Sequence, residues 1–181
     1  MKKYVTLLVL AITVGIVNAQ DKYNAGSIPF VDDSVIFSSI EQIENMDAKN
    51  IYSLAKMAIA DIFVSAKDVI QVEDAENNMF IAKGVTKDGN ASWSYTIKFQ
   101  AKDGRYKIDM YDCQYEAVVP GLSVPPTRYG AEKLTDKNCL DKKGVCKKNG
   151  YGYARRFLID TKDDIFSVLK SKIQKSTIET W

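Results

Sequence analysis

The sequence predicts a single α+β domain, an antiparallel sheet backed by helices in the order β-α-β-β-β-β-α, with a long cysteine-containing loop before the last helix. Three observations carry this. Between Ser92 and Gln100, Trp93, Tyr95, Ile97 and Phe99 alternate with Ser94, Thr96 and Lys98, the period of a strand with one buried face. Asp103-Gly104 then reads as a two-residue hairpin turn, because both central positions of a type I′ turn need positive φ. Upstream, Ile51, Leu54, Ala55, Ala58 and Ile62 recur at helical spacing.

Residues 1–19 are set aside first. Lys2-Lys3, an apolar run from Tyr4 to Val17 and a Val17-Asn18-Ala19 end describe a secretory signal cleaved after Ala19. The run is too short to span a bilayer well, so no transmembrane segment is expected in the mature chain. Residues 20–181 then form one domain by size. Val35 to Ile43 reads as the first strand, and Asp47 caps a helix reaching to about Ala66, with Tyr52, Ile59 and Phe63 widening its apolar stripe. A stripe that broad implies burial against the sheet.

Val69 to Glu73 is the next strand. Met79 to Thr86 pairs forward through Asp88-Gly89, placing Gly84 across from Trp93, Ala82 across from Tyr95 and Phe80 across from Ile97. The Asp103-Gly104 turn sets Ala101 against Tyr106, Phe99 against Ile108, Ile97 against Met110 and Lys98 against Asp109. Further along, Cys113 and Tyr115 change parity, which calls for a bulge near Met110-Tyr111 or burial on both faces. From Val118 to Tyr153 the chain is rich in Gly and Pro and lacks periodicity, the pattern of a long loop. Asp160 or Thr161 then caps a final helix with Ile165, Val168, Leu169 and Lys172 on one face, and Asp160, Asp163 and Asp164 as its N-terminal charges.

Composition excludes a good deal of chemistry. There is no His, which removes Ser-His-Asp and Cys-His catalysis and imidazole metal sites. The mature chain is neutral, with 23 basic and 23 acidic residues, yet residues 117–156 hold nine Lys/Arg against three Asp/Glu. A basic insert thus sits on an acidic body. An oxidising compartment would pair two of three cysteines; the preferred pair is Cys139 with Cys146, with Cys113–Cys139 as the competing connection. Three thiols without CxxC or His do not make a zinc site, and Asp136-Lys137-Asn138 with Asp141 lacks the closing Glu of a calcium loop, so neither metal nor cofactor is expected.

The element order, the hairpin Lys102-Asp103-Gly104-Arg105-Tyr106-Lys107 and the helix segment Asn50-Ile51-Tyr52-Ser53-Leu54-Ala55 resemble a family of secreted bacterial domains of unknown function described as having a TBP-like fold. The resemblance covers roughly Val35 to Glu116 and the last helix. It implies a curved sheet backed by helices and a bacterial, exported protein, in the periplasm or at the cell surface. It offers no activity to carry over, and the insert departs from the family pattern. The fold label does not imply DNA binding, since fold does not fix function, and no nucleic-acid partner is expected of a secreted chain.

The functional expectation is a non-enzymatic binding module. Its contact surface is Lys142, Lys143, Lys147, Lys148, Arg155 and Arg156 interleaved with Tyr151 and Tyr153, where basic groups supply charge and tyrosines stacking faces. The expected partner is an anionic glycan or cell-surface polymer, or another envelope protein. A solubilising loop is the plainer reading of the same residues. Two alternatives stand beside it: a protease-inhibitor-like wedge using Pro120-Gly121 and Asp88-Gly89, and a hydrolase built on Asp109, Asp112 and Glu116. No catalytic residue is assigned.

Overall fold

The computed structural model describes residues 21–63, 69–121 and 123–175. The expected signal segment and the last residues of the expected first helix lie outside them. Among the described residues no helix is long and apolar enough to cross a membrane.

A small ribbon of β1 (Phe30–Val31) and β2 (Ser34–Val35) precedes β3 (Phe37–Gln42). Helix α1 (Ala48–Ile62) follows, then β4 (Ile70–Asp74), β5 (Met79–Asp88), β6 (Ala91–Lys102) and β7 (Arg105–Ala117). The sheet order is β4-β5-β6-β7-β3, every neighbouring pair antiparallel. Helices α1 and α3 (Gly150–Lys175) pack on one face of this sheet and against each other. Between them and the sheet lie Trp93, Ile97, Phe99, Phe80, Ile108 and Met110, with Ile51, Ile59, Leu158 and Leu169, all fully buried. Phe80, Phe99 and Tyr106 stack in a row across three strands, with ring centroids 5.2 Å apart at each step. The opposite face carries Lys83, Lys98, Lys107 and Asp109. Asp109, read as the partner of Lys98, is its cross-strand neighbour, but its carboxylate pairs with Lys107 at 2.9 Å.

The β6–β7 register is the expected one, Lys102 opposite Arg105 and Ile97 opposite Met110. Its turn is not type I′, because only Gly104, at φ 73°, has positive φ. The tip is also not free in solvent. Gly104 donates its N–H to Met46 O and accepts from Ile43 N, and the Asp103 carboxylate accepts from Ala48 N at 2.8 Å. Asp47 caps α1 as expected, accepting from Asn50 N at 2.7 Å. Two acidic side chains, one local and one from the hairpin, thus satisfy N–H groups of the helix start.

The β5–β6 register is displaced by two residues from the expected one: Gly84 faces Tyr95, Ala82 faces Ile97 and Phe80 faces Phe99. Gly89-Asn90, rather than Asp88-Gly89, makes the turn, with Gly89 at φ 56°. A shift of two keeps every side chain on its face, so the buried set is the one the alternation predicts. Gly84 is required there, because a Cβ would come within 2.6 Å of the Phe63 and Tyr95 rings.

The expected bulge falls at Asp112-Cys113 opposite Tyr95, with Asp112 at φ 52°. It turns Cys113 and Tyr115 into the core, where Tyr106, Ile108 and Met110 had pointed before it.

The long loop is corrected most. β8 (Thr127–Gly130) returns to pair with β7, on the edge that β3 also uses, and a 3₁₀ turn (Ala131–Lys133) and a short α2 (Asp136–Cys139) follow. Helix α3 then begins at Gly150, about ten residues before the expected cap. Asn149 caps it, its side chain accepting from Gly152 N at 2.8 Å. Gly150 and Gly152 read as breakers, but Gly152 marks close packing, since a Cβ would lie 2.0 Å from Lys147 O. Ala154, Leu158, Thr161, Ile165, Leu169 and Ile173 form the buried stripe, while Val168, expected on it, is exposed.

Candidate functional site

The basic segment 117–156 is pinned to the sheet by an aromatic ladder. Trp93 of β6 meets Tyr115 of β7 at 5.3 Å, Tyr115 meets Tyr129 of β8 at 4.9 Å, and Tyr129 meets Tyr151 of α3 at 5.0 Å. The Trp93 indole N–H donates to Ala154 O at 3.2 Å, fastening the start of α3 to the middle of the sheet. Tyr151 ends the ladder with its ring partly in solvent.

The expected contact residues divide into four environments. Lys142, Lys143 and Lys148 are exposed, and their ammonium groups make no hydrogen bond or ion pair among the described residues. Lys142 joins Lys137 and Lys147 around a shallow groove of about 660 Å³ floored by Leu140 and Gly144. Lys147 is partly committed, since its ammonium donates to Lys137 O at 2.7 Å and Asn138 O at 3.3 Å, closing the end of α2. Two acids line this groove; Asp136 is paired with Arg155, and Asp141 is turned inward on its own loop. Its carboxylate accepts from Val145 N and Lys143 N, and those hydrogen bonds hold its pKa below the usual carboxylate range.

Arg155 departs from the expectation. Its side chain is 0% exposed and donates to Tyr23 O, Asn24 O, Leu134 O and Ser27 Oγ, with Asp136 at 2.9 Å. It is a buried clamp joining the N-terminal segment, α2 and α3. Sequence could not separate it from Arg156, because adjacent basic residues look alike until the helix phase is known. Arg156 and Tyr153 face a different opening, a cleft of about 400 Å³ between α3 and the end of β5. There the Tyr153 hydroxyl donates to Asp88 at 2.7 Å, and its pKa is pushed up to about 12 by burial and by that carboxylate.

The expected Cys139–Cys146 bond is absent, and all three cysteines are free thiols. Cys146 bridges Leu140 rather than Cys139, so the two side chains are out of register. Each thiol instead points at a carbonyl of the first turn of α3, Cys139 at Tyr151 O and Cys146 at Gly152 O. Cys113 lies in the core, its pKa pushed up to about 12 by burial and by Asp112. The carboxylates of the hydrolase alternative do not converge on one opening. Glu116 pairs with Arg128, Asp109 accepts from Ser38 and pairs with Lys107, and Asp112 sits at the bulge.

Residues 37–116, from the first residue of β3 to nearly the last of β7, match the model of a family described as a domain of unknown function (DUF4468) with TBP-like fold. This segment belongs to the DUF4468 family. Among solved structures, a DUF4468 family protein from Bacteroides ovatus ATCC 8483 is similar at a TM-score of 0.69 and 22% identity, over 85% of this chain and 94% of that one. A TBP-like protein from Parabacteroides distasonis ATCC 8503 is similar at a TM-score of 0.57 and 17% identity, over 79% of this chain and 97% of that one. At these identities the likeness is one of fold. The likeness to the first reaches beyond the DUF4468 segment, so its fold takes in more than the sheet and first helix. No match is found among curated proteins.

Proposed function

We propose that this protein is an exported, non-enzymatic binding module, and that the lysine-lined groove formed by α2 and the loop after it contacts an anionic glycan or cell-surface polymer. One observation carries the reading: among the described residues the ammonium groups of Lys142, at the groove, and of Lys143 and Lys148 nearby in sequence make no hydrogen bond or ion pair, while the Asp141 carboxylate accepts from backbone N–H groups. An extended polyanion suits such a surface, because clustered exposed charge raises local anion concentration without demanding a deep pocket.

Affinity electrophoresis through sulfated dextran, with neutral dextran as reference, tests the reading. The parent protein is expected to be retarded by the sulfated polymer, less so as salt rises, because exposed charge is screened. Lys142→Glu, Lys143→Glu and Lys148→Glu together should abolish the retardation. Equal migration of parent and triple variant, or no retardation of the parent at low salt, overturns it. Export is tested by fractionating the native host and determining whether the mature chain begins at Gln20.

A further inference from the structure

The loop joining β7 to β8 carries no charge, and from Ala117 to Pro126 its one polar side chain is Ser123. Val118, Val119 and Val124 are 47%, 48% and 49% exposed, and Pro120 and Pro125 are exposed beside them. Single exposed apolar residues need no explanation, but a contiguous set of them marks a contact surface. This surface is a projection and not a groove. Ala117 lies opposite both Ala91 and Thr127, and Val118 N donates to Asn90 O at 2.9 Å, so β7, β8 and the β5–β6 turn all end at one level. None of the three valines joins the packed core, which places the apolar tip past the end of the sheet.

The chemistry of the tip and of its base narrows the class of partner. Charge returns at the base, where Lys87, Ser92, Glu116 and Arg128 face one another across four strands. Glu116 pairs with Arg128, and Asp88 beside Lys87 accepts from Tyr153. Two cations and two acids balance there, so no field draws an anion or a cation to the tip. The backbone adds a second constraint. A medium that accepts no hydrogen bonds strands every N–H it covers. Three of the ten residues from Ala117 to Pro126 are proline, which has no N–H, and Val118 N is already bonded. A convex, uncharged tip short of donors, above a row of balanced charges, matches the boundary between acyl chains and lipid headgroups.

We propose that this loop is a lipid-contacting tip: Val118, Val119 and Val124, with Pro120 and Pro125, enter the interface of a bilayer, while Lys87, Glu116 and Arg128 stay at headgroup level. The contact is shallow and reversible, because one short apolar element does not anchor a protein permanently. It is independent of the lysine groove, since apolar burial needs no anionic lipid, and either reading can fail alone.

The test is flotation with phosphatidylcholine vesicles, using the chain from Gln20 so that the apolar run from Tyr4 to Val17 cannot itself bind lipid. The parent is expected to float with the vesicles, and equally so at raised salt, because screening acts on charge and not on apolar contact. Val119→Asp together with Val124→Asp should weaken binding about tenfold or more, since each CH₂ withdrawn from lipid changes partition roughly fourfold. Both positions are exposed, so the urea midpoint of the double variant should match the parent's. Val119→Trp reads depth directly: its added emission should be quenched by lipids brominated in the acyl chain. The Lys142→Glu, Lys143→Glu, Lys148→Glu variant should float as the parent does. No flotation of the parent, flotation that needs anionic lipid and is lost in the lysine variant, unchanged flotation of the double Asp variant, or no acyl-chain quenching overturns the proposal. Inhibition of a secreted protease by a parent that does not float, lost in the double Asp variant, would overturn it in favour of a protein partner.

Discussion

At the scale of single residues, the orphan hydroxyl of Thr161 can be separated from the shape of its side chain. It carries only a cost, because a buried polar group without a partner forfeits its hydration. Thr161→Val is therefore expected to raise unfolding free energy by on the order of 1 kcal/mol, seen as a higher urea midpoint at unchanged slope. The thiols make a second residue-scale prediction. Burial raises the pKa of Cys113 and of Cys139, and the thiolate is the reactive form. Native protein treated with iodoacetamide at pH 8 should carry label first at Cys146, which is partly exposed, and at the other two only after denaturant is added, as peptide mass spectra will show. Arg155 teaches the converse lesson. Its charge belonged to the basic composition that the sequence displays, yet burial takes it out of any surface.

Among the elements, those built from local pattern were the legible ones. Alternation between Trp93 and Phe99 and the Asp103-Gly104 turn specify β6, β7 and their register, and Asp47 with the Ile51 stripe specifies α1. Where a turn offered adjacent choices, at Asp88-Gly89-Asn90, the wrong pair moved the register by two while leaving the buried face intact. The first ten residues of α3 were illegible because Gly152 answers to a neighbour, Lys147 O, and not to its own helix. Asn149 was the available signal. The cleft was beyond sequence altogether, because it depends on Asp88 meeting Tyr153 across 65 positions. The hairpin tip carries the element-scale prediction. Since Asp103 accepts from Ala48 N, Asp103→Ala should cost about 1 kcal/mol, the usual value of a lost helix cap, although it alters no core contact. Denaturant titration beside Asp47→Ala, which removes the local cap, checks it; an effect within error for Asp103→Ala would show that the hairpin does not support the helix.

For the molecule as a whole, ion pairs tie α3 to both of its neighbours, Lys170 to Glu41 of β3 at 2.7 Å and Lys172 to Asp61 of α1 at 2.6 Å. The hydrogen bond from Lys170 holds Glu41 below its ordinary pKa, Lys56 and Tyr52 do so for Glu73, and Lys162 and Lys22 do so for Asp163 against the opposing effect of burial. A carboxylate depressed in the folded state stabilises it above the unfolded pKa, and that stability is lost as pH falls through the folded value. Thermal midpoints should accordingly be flat near neutrality and fall below about pH 4, the ordinary carboxylate range. Glu41→Gln should lower the neutral plateau by less than about 1 kcal/mol and lessen the acid dependence. A variant whose acid profile matches the parent's would remove Glu41 from the account. The Asp103 contact also bears on the order in which the chain assembles. Residues 91–117 can close on themselves early, because their pairing is local, whereas the bond from Ala48 to Asp103 spans 55 positions. Helix α1 leaves the growing chain first, yet its N-terminus is completed by a turn made later, so during synthesis the earlier element waits for the later one.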